Sequence, residues 1–189
     1  MHKAIHVLAR ATAIVGGLVL CGIIIMTALS ILGRSLNDVL HSDWAVQTFG
    51  GFAQRLIDAG IGEIQGNYEI LEAGVAFAIF SFFPVCQLYT SHATVDVFTS
   101  QLPERVTRWI MAFWEVVLTI TLIFISERLF DGMLRYIGNG ETTFFLQFPL
   151  WWAYLASFSA SCVTCIVAVY CAVMRVFEAV HGHMILPRA

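Results

Sequence analysis

Two carboxylates, Glu69 and Glu72, stand at the start of an apolar run that continues to Phe83. Side chains three residues apart share nearly one face of a helix. One origin for the pair is local: Asn67 can cap the helix, and the positive end of the helix dipole favours nearby carboxylates by about 0.3 to 1 kcal/mol each. The other origin is pairing with arginines from neighbouring helices.

The pairing alternative depends on two arginines at the ends of other apolar runs. Arg34 follows the first run and Arg128 ends the third. If these runs are helices of one bundle, both arginines lie on the same side as Glu69. Together with Glu72 and Glu127, they would then form a charge cluster that joins the ends of three helices.

Glu115 is a third carboxylate, and it lies inside the third apolar run. It is about six residues, or roughly 9 Å, from the start of that run. A charged side chain at the centre of a bilayer costs about 2.5 to 3.5 kcal/mol, so Glu115 should face protein and not lipid. A transport role is open, but carriers normally place broken helices at the midplane, and Pro84 is the only proline well inside a run.

Motifs for enzymatic or redox chemistry are missing from the sequence. The histidines lie outside the apolar runs or at their ends, so they do not suit haem or a metal inside a bundle. Cys162 and Cys165 form a C-x-x-C within an apolar run and not at the turn of a redox domain, which favours a packing role. No nucleophile, phosphate-loop or H-E-x-x-H motif occurs. We therefore predict no enzyme, no cofactor and no metal.

The composition indicates a membrane protein. Of 189 residues, 59% are hydrophobic and 12% are charged, whereas soluble domains are about one quarter charged. The net charge of -3 gives no basic field for nucleic acid, which we exclude as a partner.

Four apolar runs have the length of about 20 residues that a helix needs to cross the hydrocarbon. Backbone groups in lipid must be satisfied within a helix when no barrel pattern is present. The sequence therefore predicts an all-α membrane protein with one domain over residues 1–189 and lipid around it. The expected spans are 11–32, which we interpret as a retained anchor, 70–90, 109–130 and 150–174.

The distribution of arginine and lysine favours both termini in the cytoplasm under the positive-inside rule. In this orientation the inner side holds Lys3, Arg10, Arg105, Arg108, Arg175 and Arg188, and the outer side holds Arg34, Arg55, Arg128 and Arg135.

The segment between the first two spans predicts an amphipathic helix over 43–59 on the outer surface. Its apolar residues recur at four, three and four positions: Ala45, Phe49, Phe52 and Leu56. The alternatives are that this helix covers the bundle's own outer end, or that it contacts a partner protein.

Four stretches carry a resemblance to a known family. They are Arg34 after the first span, GNYEILE at 66–72, HATVDVFTSQLPERVTRW at 92–109, and ETTFFLQFPLWWAYL at 141–155. Their order and spacing resemble the small membrane subunit, or Q subunit, of tripartite ATP-independent periplasmic (TRAP) transporters. That family shows a Gly-aromatic-Glu entry to its second helix, a His-x-x-Val-Asp segment before Leu-Pro, and a Thr followed by an apolar-Pro-x-Trp entry to its fourth.

The matching positions also have physical interpretations. Pro149 suits the first turn of a helix, and Trp151 suits the aromatic belt at a membrane interface. His92 and Asp96 lie in the inner loop and are expected to order it by local hydrogen bonds. The segment 35–66 is longer than the first loop that is usual in the family.

The resemblance implies that the chain lies in the bacterial inner membrane and has two protein partners. These are a large multi-span permease subunit and a periplasmic solute-binding protein. It implies that the chain scaffolds the large subunit, which would hold the substrate and sodium sites for uptake of an organic acid. A structural subunit of another inner-membrane complex is the alternative, followed by a membrane enzyme.

Overall fold

A computed structural model describes residues 2–42, 62–89 and 103–181, together with Gly51 and Arg55. The prediction of an all-α protein with four long apolar helices is confirmed, and each helix is long and apolar enough to cross a membrane. The helices are α1 (His2–Leu40), α2 (Asn67–Leu88), α3 (Glu104–Asn139) and α4 (Leu150–His181).

Three of the four helices are much longer than the predicted spans. α2 has 22 residues, or about 33 Å, which is close to the roughly 30 Å thickness of the hydrocarbon. α1, α3 and α4 have 39, 36 and 32 residues. Hydropathy detects only the apolar part of a helix, whereas helical hydrogen bonding continues into polar sequence at its ends.

Contacts between the helices fix their relative heights. Thr27 on α1 lies level with Asn67 at the start of α2, since their side chains are 3.4 Å apart. Gln87 near the end of α2 lies level with Glu115 on α3. α1 therefore extends about a dozen residues past the start of α2, whereas α3 and α4 extend about ten residues, or roughly 15 Å, past its end.

We name the two ends of the bundle after the predicted orientation. The outer end contains the start of α2, the end of α3 and the start of α4. The inner end contains the end of α2, the start of α3 and the end of α4. Each end thus has its own projecting helices: α1 at the outer end, and α3 with α4 at the inner end.

The helices lie side by side in the order α1, α2, α4, α3. α4 is the most buried of the four, and its inward face carries small residues such as Ala160, Ser161 and Ala168, which let membrane helices approach closely. Glycine does the same between α1 and α2, because a side chain at Gly16 would place its Cβ 2.5 Å from that of Ser81.

Two sequence predictions fall largely outside the described residues. His92 and Asp96 lie between α2 and α3 in the part of the chain that the structure does not describe. Of the predicted amphipathic segment 43–59, only Gly51 and Arg55 are described, and both are helical and exposed.

Candidate functional site

The outer end is organised by Glu69, in the first turn of α2. Its Oε1 accepts a hydrogen bond from the N–H of Phe145 at 2.7 Å, and its Oε2 accepts one from the N–H of Leu146 at 3.0 Å. Charge-assisted bonds of this kind are stronger than neutral ones. One carboxylate therefore fastens the start of α2 to the connection between α3 and α4.

That connection, residues 140–149, is a compact turn with its own hydrogen bonds. The N–H of Thr143 donates to the carbonyl of Phe148 at 3.0 Å, and the N–H of Leu150 donates to the carbonyl of Glu141 at 3.1 Å. The hydroxyl of Thr143 also accepts from the N–H of Phe148. The turn presents Phe144 to the surroundings with 84% of its area exposed.

Gly66 allows this turn to approach α2. It is the N-cap residue of α2 and has a φ of 79°, a left-handed conformation that glycine adopts readily. A Cβ at this position would also lie 2.5 Å from Cγ of Leu146. Conformation and space therefore both require glycine in the Gly-aromatic-Glu motif.

The predicted capping role of Asn67 is wrong. Asn67 is the first residue of α2 and not its cap, and no side chain caps this helix. The Asn67 side chain is instead buried against α1, where its Oδ1 accepts a 3.4 Å hydrogen bond from the hydroxyl of Thr27. The local interpretation of the carboxylates is supported in another respect, since Glu69 lies in the first turn of its helix.

Arg34 and Arg128, the two arginines of the predicted cluster, each form an ion pair with an acidic residue outside that cluster. Nη1 of Arg34 lies 3.9 Å from Oε2 of Glu63, and Nη1 of Arg128 lies 3.4 Å from Oδ2 of Asp131. All four side chains are 43 to 68% exposed. Neither arginine pairs with the glutamates at the start of α2 in the described part of the chain. The predicted five-residue cluster is therefore not formed, because α1 continues past the level of α2 and Glu69 is engaged with backbone.

The inner end contains a buried contact between α2 and α3. Nε2 of Gln87 donates a hydrogen bond of 2.6 Å to Oε1 of Glu115. Only 7% of Glu115 and 3% of Gln87 are exposed. Glu115 thus faces protein, and it lies level with the last turn of α2, near the edge of the bundle's apolar layer.

A second buried contact lies on α4. Arg175 donates to Glu178 at 3.0 Å, and the side chains of both are only 5% exposed. Arg175 entered the sequence-based prediction only through the topology, and Glu178 and Gln87 were not among the predicted site residues. A signal for the pair was available: opposite charges three residues apart in an apolar stretch share one helix face.

Hydroxyl groups join the helices between the two ends. Thr164 donates to the carbonyl of Phe80 at 2.8 Å, Thr119 donates to the carbonyl of Ala168 at 3.2 Å, and the hydroxyls of Ser126 and Ser161 are 2.9 Å apart. Such bonds hold membrane helices together without a buried charge.

Pro149 and Trp151 mark the start of α4. Pro149 lies immediately before the helix and forms an antiparallel bridge with Thr142, one position earlier than the predicted first turn. Trp151 is half-buried, and its ring lies 6.0 Å from that of Trp152 in an edge-to-face arrangement.

A family model described as the DctQ component of tripartite ATP-independent periplasmic transporters matches residues 60–179. No curated protein and no solved structure matches the chain. The matched range includes α2, α3 and nearly all of α4, and with them the Glu69 contact and both buried inner pairs.

Proposed function

Because the chain belongs to the DctQ component family of tripartite ATP-independent periplasmic transporters, we propose that it scaffolds the large permease subunit during sodium-coupled uptake of an organic acid. Family membership confirms the resemblance read from the sequence and makes the chain a multi-pass transport subunit and not an enzyme. The bacterial inner membrane, the sodium ion and the organic acid belong to the proposal.

The continuity of the helices supports a scaffold. Secondary carriers bind substrate at the midplane between broken helices. Here α2 continues through Pro84 without interruption, and no buried Asp, Glu, Lys or Arg of the described helices lies level with the middle third of α2. The substrate and sodium sites are therefore assigned to the large subunit.

The position of α1 is also consistent with a scaffold. α1 packs mainly on α2 and lies at the edge of the row of helices. Its remaining surface carries exposed apolar side chains along its length, among them Leu18, Ile25 and Leu32. Such a surface needs lipid or a membrane partner to cover it.

Reconstitution into vesicles tests the scaffold. With the binding protein and a sodium gradient supplied, we expect organic-acid uptake only when this chain and the large subunit are both present. Uptake by this chain alone would overturn the scaffold role. Full-rate uptake by the large subunit alone would show that no scaffold is needed. Purification of the chain from its native membrane with a different complex would favour the alternative assembly role.

The segment 43–59 is proposed to contact the binding protein from the outer surface. We expect the replacement of Gln47, Gln54 and Arg55 by Ala to weaken uptake at low binding-protein concentration while the membrane complex remains intact. Unchanged dependence on binding-protein concentration would reject this role. Cysteine labelling of these positions from the cytoplasm would overturn the N-in orientation.

A further inference from the structure

A cavity of about 230 Å³ lies at the outer end, between α2, α3 and α4. Small side chains leave this space open, namely Ala73 and Ala76 on α2 and Ala153 on α4. Leu129 borders it from α3. In the described part of the chain α2 and α3 make no extensive contact with each other, so the cavity occupies the gap between them.

The polar groups of this cavity come from α2, from α4 and from the connection between α3 and α4, which contributes Thr143. Glu69 and Glu72 both line it, but the Glu69 carboxylate is already engaged by two backbone N–H groups. Glu72 is exposed and remains as the outward carboxylate of the lining. Tyr154 also lines the cavity, and its ring lies 4.9 Å from that of Tyr136, which is the neighbour of Arg135 on α3.

The depth of the cavity matches the upper part of a lipid. Its α2 lining covers the first turns of the helix, so it extends about 10 Å inward from the outer boundary of the apolar layer. In a bilayer, headgroups meet acyl chains at that boundary, so the cavity extends from the headgroups into the acyl chains. The volume exceeds the roughly 150 Å³ of an apolar cavity that holds benzene, so a segment of acyl chain fits.

We propose that the cavity binds a phospholipid with a primary ammonium headgroup, such as phosphatidylethanolamine. An acyl-chain segment occupies the space between Ala76 and Leu129. The ammonium group donates to Glu72, and the phosphate lies toward Arg135. The carboxylates exclude headgroups that are only anionic, and a quaternary ammonium lacks the N–H donors that a carboxylate accepts.

Native mass spectrometry of the delipidated full-length chain in detergent tests this proposal. The probes are phosphatidylethanolamine, phosphatidylcholine and phosphatidylglycerol with identical acyl chains. We expect phosphatidylethanolamine to bind roughly tenfold more tightly than the other two, as the loss of one charge-assisted hydrogen bond implies. It should also raise the thermal midpoint most. Equal binding of all three lipids would overturn the proposal.

Variants locate the binding site. Glu72→Gln should abolish the preference for the primary ammonium, and Ala76→Phe should fill the cavity and weaken binding of every lipid. Glu127→Gln removes a carboxylate from α3 outside the cavity and serves as the matched control with unchanged binding. Because Glu72 is exposed, Glu72→Gln should fold even if Ala76→Phe does not. If Glu72→Gln still preferred phosphatidylethanolamine, that result by itself would overturn the proposal.

The same measurement on the complex separates lipid from protein as the occupant. If phosphatidylethanolamine leaves the chain when the large subunit binds, a side chain of that subunit takes the cavity and the lipid proposal is wrong. Retention of the lipid in the complex supports it. None of these measurements involves transport, so their failure leaves the scaffold role untouched.

Discussion

Glu69 at the outer end and Glu115 at the inner end are both helical glutamates with short hydrogen bonds, but their surroundings differ. Glu69 binds two backbone N–H groups at an exposed turn, beside ion pairs whose side chains are 43 to 68% exposed. Glu115 binds one buried amide, and the nearby Arg175–Glu178 pair is 5% exposed.

The comparison shows that burial, more than residue type, decides how much each contact contributes. Exposed ion pairs typically contribute about 0 to 1 kcal/mol, because water screens them and the side chains lose entropy. In a buried pair, loss of one partner leaves a charge without compensation, which is far more destabilising. The inner end should therefore be sensitive to single substitutions, and the outer end tolerant.

The largest effect is expected from Arg175→Met. It removes the guanidinium group beside the buried Glu178 carboxylate, which should destabilise the chain by about 3 to 5 kcal/mol. Unfolding in mixed micelles measures the loss. The double variant Arg175→Met/Glu178→Leu should recover most of it, because two apolar side chains can replace a buried pair. If Arg175→Met were as stable as the parent chain, the inner end would not be more sensitive to substitution than the outer end.

A smaller loss is expected at the contact between α2 and α3. Gln87→Leu leaves the Glu115 carboxylate without its amide donor, at a cost of about 1 to 3 kcal/mol in the same unfolding assay. Glu115→Gln should be milder, because its amide oxygen can still accept from Gln87. Thr121→Ala, at an exposed hydroxyl of α3, is the matched control. Equal losses in Gln87→Leu and the control would show that the buried bond contributes nothing.

Glu69→Gln should loosen the turn at residues 140–149 with little effect on the stability of the whole chain. One carboxylate oxygen is replaced by an amide group that cannot accept, so one of the two backbone N–H groups loses its partner. Hydrogen exchange at the amides of Phe145 and Leu146 should accelerate. The free energy of unfolding should fall by less than it does in Arg175→Met or Gln87→Leu. Glu72→Gln should leave exchange at these two amides as it is. Unchanged exchange in Glu69→Gln would refute the fastening of the turn.

The smallest effect is expected from Arg34→Glu, at most about 1 kcal/mol, because its ion pair is exposed. A double-mutant cycle with Glu63→Arg should show the coupling, and a cycle with Glu69→Arg should show none. Coupling to Glu69 and not to Glu63 would restore the five-residue cluster that the sequence suggested.

The sequence by itself determined the class of the protein and the number of long apolar helices among the described residues. Apolar length forces a helix wherever the backbone is surrounded by lipid, and this argument needs no partner. The motifs GNYEILE and ETTFFLQFPLWWAYL were likewise visible as separate patterns. They were sufficient to suggest the family that the match over 60–179 shows.

Only the tertiary structure decided which side chains meet. Glu69 and Phe145 are 76 positions apart in the sequence, and their contact depends on the approach that Gly66 permits. Arg34 meets Glu63 because α1 continues past the start of α2. Helix heights are set by packing at small residues such as Gly16, whereas hydropathy averages over a window and carries no information on register.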